Sequence, residues 1–385
     1  MTEPEIVKHG KENGDGMIIR YQTRKGTDIF GLGIPNVYSG TDWDLGPTWC
    51  YLILNECTTL IDTGRHGNAE FLETLVDLTG ITIDEIERII ITHGHEDHDG
   101  NLADIFSRTS SQLWAHPIYE KMIAYNTAVS GVVKNPAFPV SCWHCPMPPE
   151  FNKNCLSYQK KRSQLQVDVF IGHREEPQME RWDFFHTPGH TPDSISILLD
   201  KEVLFTGDHV LPDITPHPSR SAYFENSRQV LPLDYAGQNR VYGLTNYLKS
   251  LQMIKSLPPE WLRVIFPAHR LFYKNKFNLI HDLRQRADDI IQFHIQRCRD
   301  ILNIMNTGIY NVSEISVEYF EPSLLKGIGG KFLAENEILS HLEVMVECGD
   351  VKWEDFYDGI AKPTGFHRYE QAIRKYLSND HIEVR

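Results

Sequence analysis

The run Ile89-Ile90-Ile91-Thr92-His93-Gly94-His95-Glu96-Asp97-His98-Asp99-Gly100 constrains the fold more than any other part of the chain. Its apolar, β-branched start predicts a short buried strand, which empties into a loop, residues 93–99, holding three histidines and three acids. Such a loop is costly unless a cation binds it. Neutral imidazoles and carboxylates suit a borderline divalent ion such as Zn2+. On a turn, rather than a helix, the spacing His-x-His-x-Asp-His sends alternate side chains to opposite sides, so one loop can feed two metals. A solvated polar turn is the blander reading, and the position of the cluster at the end of a buried strand speaks against it.

Four further pieces follow in order, each at the C-terminal end of an apolar run. Leu60-Ile61-Asp62-Thr63-Gly64 follows an expected strand, and His186-Thr187-Pro188-Gly189-His190-Thr191 holds a histidine in a Pro/Gly turn. Thr206-Gly207-Asp208 follows Val203-Leu204-Phe205, and Phe266-Pro267-Ala268-His269 follows Val264-Ile265. Together with the first loop these pieces resemble the signature of the metallo-β-lactamase superfamily. The resemblance implies an α/β chain built as an αββα sandwich. It places His93, His95 and His190 on a first metal, Asp97, His98 and His269 on a second, and Asp208 as the bridge between them. It also implies a metal-bridging hydroxide as nucleophile, oriented by Asp97, with Asp62 accepting a hydrogen bond behind the metal loop. Two divalent metal ions are expected, zinc first, with iron or manganese as alternatives.

At 385 residues the chain is comfortable for two domains. Short extended runs between Gly, Pro, Asn and Asp turns fill 16–60 and predict a β meander; helix and strand units follow. The segment 116–165 lacks periodicity and is rich in Pro, Cys and aromatic residues, so it reads as an insertion, either a lid over the substrate or a partner surface. Within it, Cys142-Trp143-His144-Cys145 with Cys155 is a weak candidate for a structural zinc site, because a second matching pair is missing. From Phe277 the pattern turns helical: Asn278 to Met305, Ser313 to Phe320 and Leu333 to Cys348, then Asp350 to Tyr357 as a hairpin. This order resembles a winged-helix domain. The expected division is therefore a catalytic domain over 16–276 and a small, mainly helical, winged-helix-like domain over 277–385. The whole arrangement, including Ile291 to Leu302, resembles a superfamily subgroup whose familiar animal member is a lactamase-like endoribonuclease. Asp99-Gly100-Asn101 departs from the small residue and paired glycines common there, and so does the long insertion.

Charge then limits partners. The net charge of −14, with Glu335, Glu337, Glu343 and Glu347 on the expected third helix of the second domain, opposes binding to nucleic acid. That domain reads instead as a structural or homodimer-forming appendage. No apolar run reaches the 18 or so residues of a membrane span, the start is polar, and seven cysteines in a large chain fit reduced thiols in a cytoplasmic enzyme. The leading expectation is a hydrolase acting on an ester-like bond of a small molecule, foremost an acyl-CoA thioester. Endoribonuclease or phosphodiesterase activity is one alternative, and an iron-dependent persulfide dioxygenase is another; His95, where flavodiiron proteins carry an acid, disfavours a flavodiiron site. Arg220, Tyr223, Arg228 and Arg240 are candidates for holding a phosphate or carboxylate of the substrate. His186, His209 and His217 flank the site and read more simply as packed or surface histidines.

Overall fold

Alternating apolar residues build two sheets whose facing sides make one core. The computed structural model describes residues 3–36, 43–124, 156–173, 179–356 and 358–378. The first sheet runs in chain order: β1 (Glu5–Lys8), β2 (Ile18–Gln22), β3 (Asp28–Ile34), β4 (Thr48–Leu54), β5 (Thr59–Ile61), β6 (Arg88–Ile90), β7 (Gln112–Ala115) and β8 (Val169–Phe170). Pairing is antiparallel up to β5 and parallel from β5 to β8. The sheet thus begins ahead of residue 16, the expected start of the domain. In the second sheet β9 (Trp182–His186), β10 (Ile195–Leu199), β11 (Val203–Gly207) and β12 (Val264–Pro267) lie in the order β12-β11-β10-β9, with β11 and β12 parallel.

Period two sorts the side chains. Ile19, Tyr21, Tyr51 and Ile53 of the first sheet pack against Phe184, Ile197, Phe205 and Phe266 of the second. Their neighbours Ile18, Leu32 and Leu52 point the other way, onto α1 (Ala69–Asp77), α3 (Leu102–Phe106) and α4 (Pro117–Ala124). Between α1 and α3, residues Glu96–Asp99 form a single helical turn, α2, where the sequence suggested a turn without helix. The ends of the insertion fold as α4 and α5 (Leu156–Arg162). The Cys142 to Cys145 cluster, Cys155 and most of the expected lid lie outside the described residues.

After the second sheet's third strand come α6 (Tyr223–Ser227), α7 (Leu233–Ala236) and α8 (Leu244–Lys255); β12 then leads to the hairpin β13 (Phe272–Tyr273) and β14 (Lys276–Phe277). The helical region holds α9 (Leu283–Met305), α10 (Val312–Tyr319), α11 (Gly327–Glu347), the hairpin β15 (Val351–Asp355) with β16 (Ile360–Pro363), and α12 (Tyr369–Ser378). The expected helix from Asn278 starts later because the Asp282 carboxylate accepts the amides of Arg284 and Gln285, at 2.9 and 3.1 Å, as an N-cap. Helix α11 starts earlier than Leu333. Gly330 fits there by close approach, since a Cβ would stand 2.4 Å from the Leu324 carbonyl oxygen.

The boundary expected at 276/277 falls inside β14, and one hydrophobic core crosses it. Leu198 and Leu204 of the second sheet meet Tyr247 and Leu251 of α8, which meet Ile290 and Ile295 of α9 and Ile338 and Leu342 of α11. Among the described residues no helix is long and apolar enough to cross a membrane.

Candidate metal centre

The strand ends deliver the site. His93 follows β6, Asp208 follows β11, His269 follows β12, His190 lies in the turn between β9 and β10, and α2 carries Asp97 and His98. Two groups result, each with ligand atoms within 4.8 Å of one another: His93, His95, His190 and Asp208, then Asp97, His98 and His269. Asp208 spans them. Its Oδ2 lies 3.4 Å from His190 Nε2 and 3.9 Å from His93 Nε2, whereas its Oδ1 lies 3.3 Å from both His98 Nε2 and His269 Nε2.

Proton positions fix which nitrogen of three of these rings faces inward. His190 Nδ1 donates to the His217 carbonyl at 2.7 Å, His269 Nδ1 to the Pro47 carbonyl at 3.1 Å, and His98 Nδ1 to Asp62 Oδ2 at 2.8 Å. Each acceptor takes a proton at Nδ1, so Nε2 is the nitrogen that each ring turns toward the centre. His98 Nε2, His269 Nε2 and Asp208 Oδ1 are buried without a hydrogen-bond partner. Three orphaned polar atoms converging on one space are what a cation-binding centre requires and what an apolar or hydrogen-bonded core avoids. The residues present fit a pair of divalent ions.

Buried electrostatics differ between the two sets: burial would lower His98 and His269, but Asp208 and Asp97 raise both, whereas the first set is shifted down. Burial first, then the neighbouring His190, lowers His95 to about 3; burial and the adjacent His98 and His95 push His93 well below the ordinary 6.5. Both rings are neutral, the form that binds metal. Burial opposes the charge on Asp208, yet His269 and His98 hold its carboxyl well below the usual range.

Asp62 holds the loop from behind: its Oδ1 and Oδ2 accept Thr92 N and Thr92 Oγ1, each at 2.8 Å, besides the His98 ring. It does so with φ +58, a conformation that aspartate tolerates better than most residues. Other supports were not legible in the sequence. Asn36 Nδ2 donates to Asp97 Oδ2 at 2.8 Å. The Gly94 peptide, between two histidines of the first set, is held at both ends: its N–H donates to Asp193 Oδ2 at 2.9 Å and its carbonyl accepts from Arg162 Nη1 at 3.1 Å. Arg162 also pairs with Asp99 at 3.0 Å, and the fully buried Asp99 accepts from Tyr119 at 2.9 Å and from Tyr158. The two departures noted in the sequence are therefore one feature, because Asp99 is the counter-charge for a helix that the insertion supplies.

The arginines and tyrosine expected to meet substrate are engaged elsewhere. Arg220 is buried and pairs with Glu343 at 3.3 Å, Tyr223 donates to Asn336 at 3.0 Å, and exposed Arg228 pairs with Glu225 at 3.1 Å. A buried guanidinium needs a carboxylate, and α11 provides it. Arg240 bonds Gln238 at the surface. His186 stacks on His116 with centroids 3.9 Å apart, His209 packs edge-on against Tyr247, and His217 supplies the carbonyl that orients His190.

The family model described as metallo-beta-lactamase superfamily matches residues 43–269, more than half of the chain. The probable metallo-hydrolase YqjP of Bacillus subtilis (strain 168) is 24% identical over 295 residues, covering 71% of this chain and 85% of that protein. A beta-lactamase-like protein 2 homolog of Drosophila melanogaster is 25% identical over 252 residues, covering 64% and 68%. Among solved structures, a metallo-beta-lactamase family protein from Thermus thermophilus superposes with a TM-score of 0.62 at 20% identity, covering 87% of this chain and 98% of that one. A beta-lactamase domain protein from Burkholderia ambifaria gives 0.59 at 19% identity, covering 93% and 96%. These two likenesses concern the fold.

Proposed function

The chain belongs to the metallo-beta-lactamase superfamily, and from that premise we propose that it is a two-metal hydrolase of an ester-like bond in a small molecule, foremost an acyl-CoA thioester. The observation that carries the reading is the division of Asp208, one oxygen to each histidine set. When bound, two divalent ions supply Lewis acidity and lower the pKa of a water held between them. His93, His95 and His190 would hold the first, and Asp97, His98 and His269 the second.

The protein's own groups set the rest. Asp97 is ionised: burial would raise it, but His98 and His269 lower it, so it accepts hydrogen bonds and can orient the nucleophile. Asn36 holds one of its oxygens in place. With Nδ1–H already engaged, His98, His190 and His269 would give Nε2 to the ions when these are bound, and so would have no proton to hand to a leaving group. A thiolate leaves without one, and this favours a thioester over an amide. Zinc is the ion favoured by the nitrogen and oxygen donors. A cytoplasmic location accords with the free thiols of Cys50, Cys57, Cys298 and Cys348. The helical region, three helices followed by a hairpin and a fourth helix, is winged-helix-like in the order of its first elements.

Elemental analysis of the purified protein, paired with a panel of acyl-CoA thioesters, tests this. About two zinc ions per chain with thioester cleavage is the expected result. A single iron ion without cleavage would overturn the reading. His93→Ala should abolish turnover while the circular dichroism spectrum stays unchanged.

A further inference from the structure

Helix α11 bears two buried carboxylates, Glu337 and Glu343, which face the catalytic region. Glu343 accepts three donors from one short segment: Ser221 N at 2.6 Å, Arg220 Nε at 3.3 Å and Ala222 N at 3.4 Å. Asn336, next to Glu337, accepts the Tyr223 hydroxyl at 3.0 Å. Glu337 Oε2 lies 3.5 Å from His217 Nδ1, while its other oxygen pairs with Arg297 of α9. The segment 217–223 is thus pinned along one side by α11.

Its other side carries the metal centre. The His217 carbonyl accepts His190 Nδ1–H at 2.7 Å, and Ser219 N and Oγ both donate to the Gly189 carbonyl at 2.7 Å. Gly189 and His190 therefore rest on 217–223, and 217–223 rests on α11.

We infer that Glu337 and Glu343 are positioning residues of the metal centre, fixing the ring of His190 through the segment 217–223. The helical region is then part of the hydrolytic apparatus and not an appendage to it. This rests on the reading of His190 as a metal ligand.

A cation site of its own is the rival use for this cluster, since His294, Glu337 and His341 also place ligand atoms within 4.8 Å of each other. Charge decides against it. Arg297 already neutralises Glu337, His341 Nδ1 donates to the Glu337 carbonyl at 2.7 Å, and the remaining His341 nitrogen meets His294 at 2.9 Å. A buried dication there would face a guanidinium with no uncompensated anion.

The test uses full-length protein, stripped of metal and titrated with Co2+. The double substitution Arg220→Met with Glu343→Leu removes a buried ion pair in favour of apolar side chains, a change that often leaves stability intact. Cobalt affinity should fall about 10–100-fold, with an altered d–d spectrum and a lowered kcat at little-changed KM. Glu337→Gln and Glu343→Gln, which keep the side-chain shape, should weaken cobalt binding in the same direction and serve if the double variant does not fold. Glu335→Gln, on the partly exposed side of the same helix, should change neither property. Wild-type cobalt affinity and spectrum in the glutamine variants would overturn the inference, as would a raised KM alone, which would return Arg220 to substrate binding. A wild-type chain that takes up no cobalt would overturn the metal reading itself.

Discussion

Asp208 serves both histidine sets, so its charge matters as much as its shape. Asp208→Asn keeps the volume but leaves two facing sets without their shared anion; metal affinity should drop at least about tenfold, measured by equilibrium dialysis of full-length protein. Arg162 acts one bond further out, through the Gly94 carbonyl. Arg162→Met should weaken metal binding by about 10–100-fold, and millimolar guanidinium should restore part of the activity if the lost group is the donor to Gly94. Unrestored activity with normal metal content would mean that Arg162 only fills space. The contrast shows what sequence can carry at this scale. His93, His98 and Asp208 announce themselves because each follows an apolar strand within a few residues. Arg162 lies 63 positions beyond Asp99, in a segment without periodicity, and a lone arginine there looks like any solvated charge. An acid one residue after a ligand histidine was the available hint, since a buried aspartate demands a partner.

Elements were legible where one period dominates. Thr48–Leu54, Gln112–Ala115 and Trp182–His186 form strands with the expected limits because alternation and turn residues bracket them. The limits failed where a tertiary contact decided them, at the Asp282 cap of α9 and at Gly330 in α11. Acid on α11 argues against a nucleic-acid groove but does not say where each carboxylate points; Glu337 and Glu343 turn inward, because their partners come from a segment more than a hundred residues earlier. The approach of α8 to the His190 turn is just as specific. Gly189 has φ +128, and a Cβ there would stand 2.3 Å from the Tyr247 backbone. Gly189→Ala should therefore cost about 2–5 kcal/mol in urea unfolding and displace His190; an unshifted midpoint would refute the close packing.

At the scale of the molecule, buried neutral histidines set the response to acid. Burial lowers His186 from 6.5 to about 4, and burial with neighbouring charges lowers His294 and His341 well below 6.5. Between the folded and unfolded values the unfolded chain binds more protons, so this contribution is complete above 6.5 and is lost as pH falls toward 4. His98 and His269 act in the opposite sense: burial would lower them, but Asp208 and Asp97 raise both, and they are outnumbered. Metal-free protein should accordingly melt at a lower temperature at pH 5 than at pH 7, the loss accruing below about 6.5. Equal melting temperatures at the two values would sink this account. The core that runs from Leu198 through Tyr247 to Ile338 has a different kind of consequence. A gene fusion that exchanged the tails of two relatives at residue 276 would separate Arg220 from Glu343 and hand each half a foreign counterpart. Tail and loop must be inherited together, so crossovers that yield working offspring should fall ahead of the 217–223 segment or leave both partners matched.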